Sequence, residues 1–195
     1  EPQRWAASAL PGLRVAVNVP ALHLQGDDLP RFVERALHHH GGSADCLEIE
    51  LTESVATSDA AHCREVFARL QAMGVKLAVD DFGTGYSGFS SLRRLAFDKI
   101  KIDREFVTDV HSRVDCQAIC QSTIALGRGL GIRVLAEGIE RFEEYAWLRA
   151  HGCRHFQGFY FARPLSGGAF VDLVRDPAQL DALLNPRAQL ERLSA

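Results

Sequence analysis

No stretch of this 195-residue chain approaches the roughly 20 consecutive apolar residues that a membrane-spanning helix needs. No basic-then-apolar leader opens it either. The segment therefore reads as soluble, and a parent protein stays free to carry a membrane anchor elsewhere. Excess positive charge is also missing. With 22 Lys and Arg against 25 Asp and Glu, the formal charge is −3, so no broad field draws the chain to DNA, RNA or an anionic membrane. Cysteine is sparse: Cys46, Cys63, Cys116, Cys120 and Cys153 are odd in number and contain no C-x-x-C pair. That excludes an all-paired disulfide framework and suits reduced thiols in a cytoplasmic protein. Cys116 and Cys120 lie four apart on a predicted helix, the spacing of packing neighbours. No internal repeat or low-complexity linker divides the chain, whose length suits one sizeable domain.

What is present is alternation. Strand-like runs recur at RVAVNV (14–19), CLEIEL (46–51), KLAVDDF (76–82), FDKIKID (97–103), IRVLAEG (132–138) and FQGFYFA (156–162). Between them lie the amphipathic segments LPRFVERALHHH, AAHCREVFARLQAMG, SSLRRLA, CQAICQSTIALGRGLG and FEEYAWLRAHG. In the second of these, Val66, Phe67, Leu70 and Met73 make one apolar stripe, and Gly74 stands where a helix should stop. Strands alternating with helices of this length predict parallel βαβ units. An open doubly wound sheet and a closed barrel both satisfy that pattern. Asn18, Glu50, Asp80 with Asp81, Lys101 and Glu137 all fall at or near strand exits, and only a barrel gathers such ends on one face. The reading is an α/β fold, a modified TIM (β/α)8 barrel with about six of its eight strands in this chain. The opening EPQRWAASALPG reads as the tail of a helix leading to a strand, which places roughly two strands upstream. The main domain is expected over 1–175. A helical extension follows over 176–195, starting at Asp176-Pro177 and broken near Pro186.

The stretch AVDDFGTGYSGFSSL (78–92) carries the sharpest signal. Two adjacent carboxylates repel, and dehydrating them demands a compensating cation. Glu50, Asp80, Asp81 and Glu137, with the neutral oxygen of Asn18, make an all-oxygen donor set that suits Mg²⁺ or Mn²⁺ better than zinc. Several carboxylates around one pocket are a usual basis for two ions that stabilise the attacking and leaving oxygens of a phosphoryl displacement. Lys101 adds a point charge. Each acid alone also fits an ordinary cap or salt bridge. In ELTES (50–54), Thr52 or Ser54 can cap the next helix, and Glu53 need not share the role of Glu50. Thr84, Tyr86 and Ser87 can hydrogen-bond within the glycine-bearing loop behind Asp81. His38, His39 and His40 sit at a helix end before Gly41-Gly42, where charge–dipole contact accounts for them. Trp5, Trp147 and most phenylalanines read as packing. Phe159 or Tyr160, near Gln157, is the place where a planar base can stack.

Taken together, VNV (17–19), ELTES (50–54), DDFGTGYS (80–87), KIDREFV (101–107), AEGIE (136–140) and QGFYFARPL (157–165) resemble the EAL-domain phosphodiesterases of cyclic di-GMP. The order and spacing match over roughly residues 14–165. The resemblance implies a modified TIM barrel that uses Mg²⁺ or Mn²⁺ to open cyclic di-GMP to linear pGpG. It implies Asn18, Glu50 and Asp80 as ligands of a first ion, Asp80 as a bridge, and Asp81 as the main other ligand of a second. Lys101 would hold and polarise the catalytic water, and Glu137 would be an additional metal-site acid. Glu53 would steady the DFGTGYS loop, which in the family links the metal site to a homodimer surface. Asp103, Glu140, Gln157 and Pro164 would line the nucleotide pocket. The chain departs from the pattern at Pro20, where a serine is usual, at Glu105, where a small polar residue is usual, and at Arg141, where a threonine is usual. The EAL motif itself, whose glutamate completes the first metal shell, is expected upstream of residue 1.

The leading expectation is thus a metal-dependent cyclic di-GMP phosphodiesterase in bacterial second-messenger signalling. The alternatives are a catalytically inactive receptor for the same nucleotide and a protein-interaction module. No GGDEF-type motif is present, so a cyclase or sensor domain would lie elsewhere in the parent protein.

Overall fold

The computed structural model describes residues 13–24, 28–53, 60–83 and 95–184. Trp5, Ser54, Thr84, Gly85, Tyr86, Ser87 and Pro186, each singled out from the sequence, lie outside them. The described elements run β1 Val15–Asn18, α1 Asp28–His40, β2 Leu47–Thr52, α2 Ala60–Ala72, β3 Lys76–Phe82, β4 Lys99–Ile102, α3 Arg104–Val107, α4 Val114–Leu130, β5 Arg133–Ala136, α5 Phe142–Ala150, β6 His155–Phe156, α6 Gly167–Arg175 and α7 Pro177–Leu184.

All six strands are parallel and pair in strict sequence order from β1 to β6. A doubly wound sheet would reverse its order partway, so the open-sheet alternative falls and the wall of a (β/α) barrel remains. The two edges also approach one another: Leu13, Arg14 and Val15 at the start of β1 share a cavity wall with Gln157, Phe159 and Pro164 beyond β6. No described helix is long and apolar enough to cross a membrane.

Period-two alternation decides which side chain goes where. Ile49 and Leu51 of β2, Leu77 and Val79 of β3, and Ile100 of β4 form one buried cluster with Cys63, Val66, Phe67 and Leu70 of α2. Phe67 meets Phe97 edge-on at 5.4 Å between ring centroids. Ile102, Val134 and Ala136 join a second cluster with Cys116, Cys120 and Ile124 of α4 and Tyr145 and Leu148 of α5. Cys116 and Cys120 are therefore packing residues, and burial pushes the Cys120 thiol up to about 12. The opposite face of the strands carries Glu48, Glu50, Lys99 and Lys101, the first two and the last of which are buried. A parallel sheet covered on both faces ordinarily reads as continuous apolar sequence; here one face is ionic.

Turn chemistry matches the sequence at α1, which ends at His40 before Gly41 with φ of 62°, and at α2, beyond which Gly74 has φ of 98°. Asp176 caps α7, its Oδ1 accepting from the amides of Ala178 and Gln179 at 2.9 and 3.2 Å.

The structure corrects the sequence reading at two places. The run 156–162 is not a strand beyond Phe156. Gln157 N still donates to Ala136 O and Ile139 N to Gln157 O, but the chain then turns, Tyr160 N donating back to Ile139 O. Gly158 is the reason: a Cβ there would stand 2.0 Å from Ile139 O and 2.3 Å from Ile139 N. Residues 167–175 form a helix with no counterpart in the sequence reading, begun by Ser166, whose Oγ accepts from Ala169 N at 3.4 Å. A backbone contact this close leaves no room for relaxation. We expect Gly158→Ala to lower unfolding stability by about 1–3 kcal/mol, read as a fall in the urea midpoint at constant slope; an unchanged midpoint would disprove the close approach.

Candidate active site

The carboxyl ends of β2 to β5 converge on one ammonium group. Lys101, 4% exposed, sits on the ionic face near the end of β4. Its Nζ lies 2.6 Å from Glu50 Oε2, 3.0 Å from Asp80 Oδ1 and 2.8 Å from Glu137 Oε1. Burial alone would push the lysine pKa down. Hydrogen bonds and attraction from Glu137, Glu50 and Asp80 outweigh it and hold the ammonium well above its ordinary value. Burial raises Glu137 in turn, against the pull of Lys101. Its Oε1 is ion-paired but has no aligned hydrogen-bond donor.

The doubled aspartate is explained by a bulge. Val79 pairs with Ile100, yet Phe82 pairs with Ile102, so β3 holds one residue more than β4 over this interval. The extra residue bends the strand and re-aims its side chains. Asp81 takes φ of 53°, in the left-handed region that few non-glycine residues adopt, and its amide donates to Asp80 Oδ1 at 3.0 Å. Asp81 consequently shares the strand exit with Asp80 and Asp103. Burial, then Asp80, then a hydrogen bond to Asp103 all raise its pKa.

Asn18 ends β1 in register with Glu50, hence on the same face of the sheet. Glu53, buried, accepts from Gly83 N at 3.1 Å through Oε2, tying the exit of β2 to the exit of β3. Asp103 caps α3, its Oδ1 accepting from Glu105 N at 2.6 Å. Glu140 is ion-paired with Arg104 at 2.9 Å. Gln157 and Pro164 line the cavity between the sheet edges, about 480 Å³, with no acid of the carboxylate cluster on its wall. Phe159 is exposed there with the Arg163 guanidinium over its ring at 4.9 Å, whereas Tyr160 is stacked on Tyr145 in the second core. The structure thus brings Glu50, Asp80, Glu137 and Lys101 into contact and sets Asp81 and Asp103 beside them. It places Gln157 and Pro164 on the wall of the cavity between the sheet edges, with the Gln157 backbone bonded to Ala136 next to Glu137.

Two supports escaped the sequence reading. Glu48 and Lys99 form a second ion pair one layer below Glu50 and Lys101. The repeat of charge at every second residue in LEIEL and KIKI was the available signal. Glu144, 2% exposed, accepts from Asp109 N at 3.0 Å, Glu140 N at 3.0 Å and Arg141 N at 3.1 Å, and Arg141 is itself ion-paired with Asp109 at 2.8 Å. This network fixes the loop carrying Glu137 and Glu140. Arg141, one of the departures noted above, therefore has a structural task.

Among the described residues no three His, Cys, Asp or Glu side chains stand in a ready metal-coordinating arrangement. The donor set nevertheless fits a divalent ion: it is all oxygen, anionic in excess of its one lysine, and includes the incompletely satisfied Glu137 Oε1.

The EAL domain family profile matches residues 2–164. The chain is 42% identical over 152 residues to an uncharacterized signaling protein of Caulobacter vibrioides, covering 78% of this chain and 19% of that protein. It is 39% identical over 163 residues to the cyclic di-GMP phosphodiesterase NbdA of Pseudomonas aeruginosa, covering 84% of this chain and 21% of that protein. The chain thus spans about a fifth of the length of these relatives. Among solved structures, the PaMucR phosphodiesterase in complex with c-di-GMP superposes with a TM-score of 0.82 at 36% identity, over 86% of this chain and 68% of that one. The manganese and cyclic di-GMP complex of Klebsiella pneumoniae BlrP1 gives 0.76 at 39% identity, over 83% and 42%.

Removing a buried counter-ion leaves its partners uncompensated. In metal-free protein at neutral pH, Lys101→Met should cost about 3–5 kcal/mol. Without the ammonium the folded-state carboxylates hold protons at a pH where the unfolded chain has released them. The deficit should therefore shrink as pH falls toward ~5; urea unfolding at the two pH values checks both sign and size.

Proposed function

The chain belongs to the EAL domain family, and from that membership we propose that it acts as a metal-dependent phosphodiesterase that opens cyclic di-GMP to linear pGpG. The observation that carries the reading is the meeting of Glu50, Asp80 and Glu137 around Lys101 at one end of the sheet. Barrel folds place catalytic groups at this end, on several strands at once.

Glu50 and Asp80, with Asn18, would hold one divalent ion, and Asp81 with Asp80 a second, Glu137 adding charge to the shell. Bound Mg²⁺ or Mn²⁺ would supply neutralisation of the phosphodiester and activation of a water. The protein's own groups do the rest. Lys101, kept charged by its carboxylates, is a donor and not a base. It can orient a water by hydrogen bonding and place positive charge beside the oxygens that gain negative charge at phosphorus. Glu53, through Gly83, ties the exit of β3 to the exit of β2. Asp103, Glu140, Gln157 and Pro164 would contact the nucleotide, with Phe159 offering an exposed ring to a guanine.

Larger-scale readings follow from the same premise. The catalytic unit would occupy 1–175 and a helical extension 176–195. Cytoplasmic placement agrees with five free cysteines and an intracellular messenger as substrate. Sensor or GGDEF domains in the remainder of the polypeptide agree with relatives several times longer than this chain, and a homodimer is proposed from the family resemblance alone.

The test is turnover by the protein as expressed from its own gene, with Mn²⁺ supplied. Cyclic di-GMP should give pGpG, and Asp80→Asn and Lys101→Met should each reduce kcat by at least about 100-fold. Nucleotide binding without any pGpG would assign the chain to receptors instead. Turnover by Asp80→Asn equal to the parent's would remove the carboxylate cluster from the chemistry.

A further inference from the structure

The opposite end of the sheet carries the reverse charge. Lys99, Arg133 and His155 begin β4, β5 and β6. Arg128 lies in the last turn of α4, and Arg154 immediately precedes β6. Arg128, Arg133, Arg154 and His155 line one cavity of about 320 Å³, closed on its apolar side by Ile124 and Val134.

No Asp or Glu stands on that wall. The acids at this end are committed elsewhere. Glu48 is ion-paired with Lys99, and Asp98 accepts from Lys76 Nζ at 3.1 Å and Leu77 N at 3.0 Å. Arg154 Nη1 donates only to the carbonyls of Arg149 and Cys153, at 3.4 and 3.5 Å. Among the described residues no carboxylate is ion-paired with Arg128, Arg133 or Arg154. Exposed arginines scattered singly would call for no explanation. Three guanidinium groups and an imidazole around one hollow repel one another, and their shared field selects for an anion.

The backbone is shaped to keep Arg128 there. Gly152 takes φ of 98°, which favours glycine, and the Arg128 guanidinium lies against it, Nη2 standing 2.5 Å from where a Cβ would be. The His155 imidazole also reports the field: burial, then Arg133 and Lys99, push its pKa down.

We propose that this cavity is a binding site for a phosphoryl group, either free phosphate or the end of a phosphate monoester, at the end of the sheet remote from the carboxylate cluster. Guanidinium forks match phosphate oxygens two at a time, and a hollow of this size admits one such group. A neighbouring cavity of about 760 Å³ shares Arg133, Arg154 and His155 and adds Tyr145, Phe156 and Phe161, giving room for the rest of a larger monoester. The site does not depend on the phosphodiesterase reading, because no residue is common to the two.

The experiment follows the His155 ring by NMR in the metal-free full chain while inorganic phosphate, adenosine monophosphate or chloride is added at matched ionic strength. Phosphate or the monoester should shift the resonance saturably and raise the His155 pKa, since an anion offsets the arginine field. Arg154→Gln, at an exposed position that the fold does not need, should weaken binding about tenfold or more, and Arg133→Gln likewise. Tighter binding of the monoester would identify a larger phosphorylated ligand, and equal or weaker binding the free ion; either supports the site. A response no greater than that to chloride, or one unchanged in both variants, overturns it.

Discussion

An ammonium buried among three carboxylates is the constraint around which the rest of this structure is arranged. Glu50, Asp80 and Glu137 come from three different strands, and each would be costly to bury without a partner of opposite sign. Lys101 lies within ion-pairing distance of all three at once, which couples the ends of β2 to β5 across this face. The Glu48–Lys99 pair repeats the arrangement one layer lower. The sheet is thereby held by two kinds of force on its two faces: apolar packing against the helices, and compensated charge toward the barrel interior.

This division explains how a stable wall can also carry buried charge. Apolar side chains such as Ile49, Leu77 and Ile100 secure the strands without touching the ionic face. That face is left to carry charge, with acid in excess of base at its carboxyl end. Supporting residues lie one step further out. Glu53 joins two strand exits through Gly83, and Glu144 satisfies three loop amides so that Glu137 and Glu140 are presented from a fixed backbone.

Much of this was legible in the sequence, because its signals were periodic. Strand runs with apolar residues at every second position gave five strands nearly to their ends, and acids at the exits of several runs pointed to one face of a barrel. The misses have local causes. GFYF has high strand propensity, but the near-contact of Gly158 with the Ile139 backbone turns the chain there. Gly167-Gly168 reads as a loop, yet Ser166 starts a helix across it. The lower ion pair is present in LEIEL and KIKI as charge at every second residue, but only the strand register shows that Glu48 and Lys99 meet. That Gln157 and Pro164 share a cavity wall with the start of β1 follows from how the sheet edges meet and has no one-dimensional signal.

The bulge in β3 has an evolutionary corollary. Asp81 lies in the interval where β3 holds one residue more than β4, so losing its codon would bring the two strands into one register between Val79 and Phe82. The same event would delete one acid and swing its neighbour off target. A single in-frame deletion there would thus act on the arrangement of the acids before it acted on the apolar face of the wall.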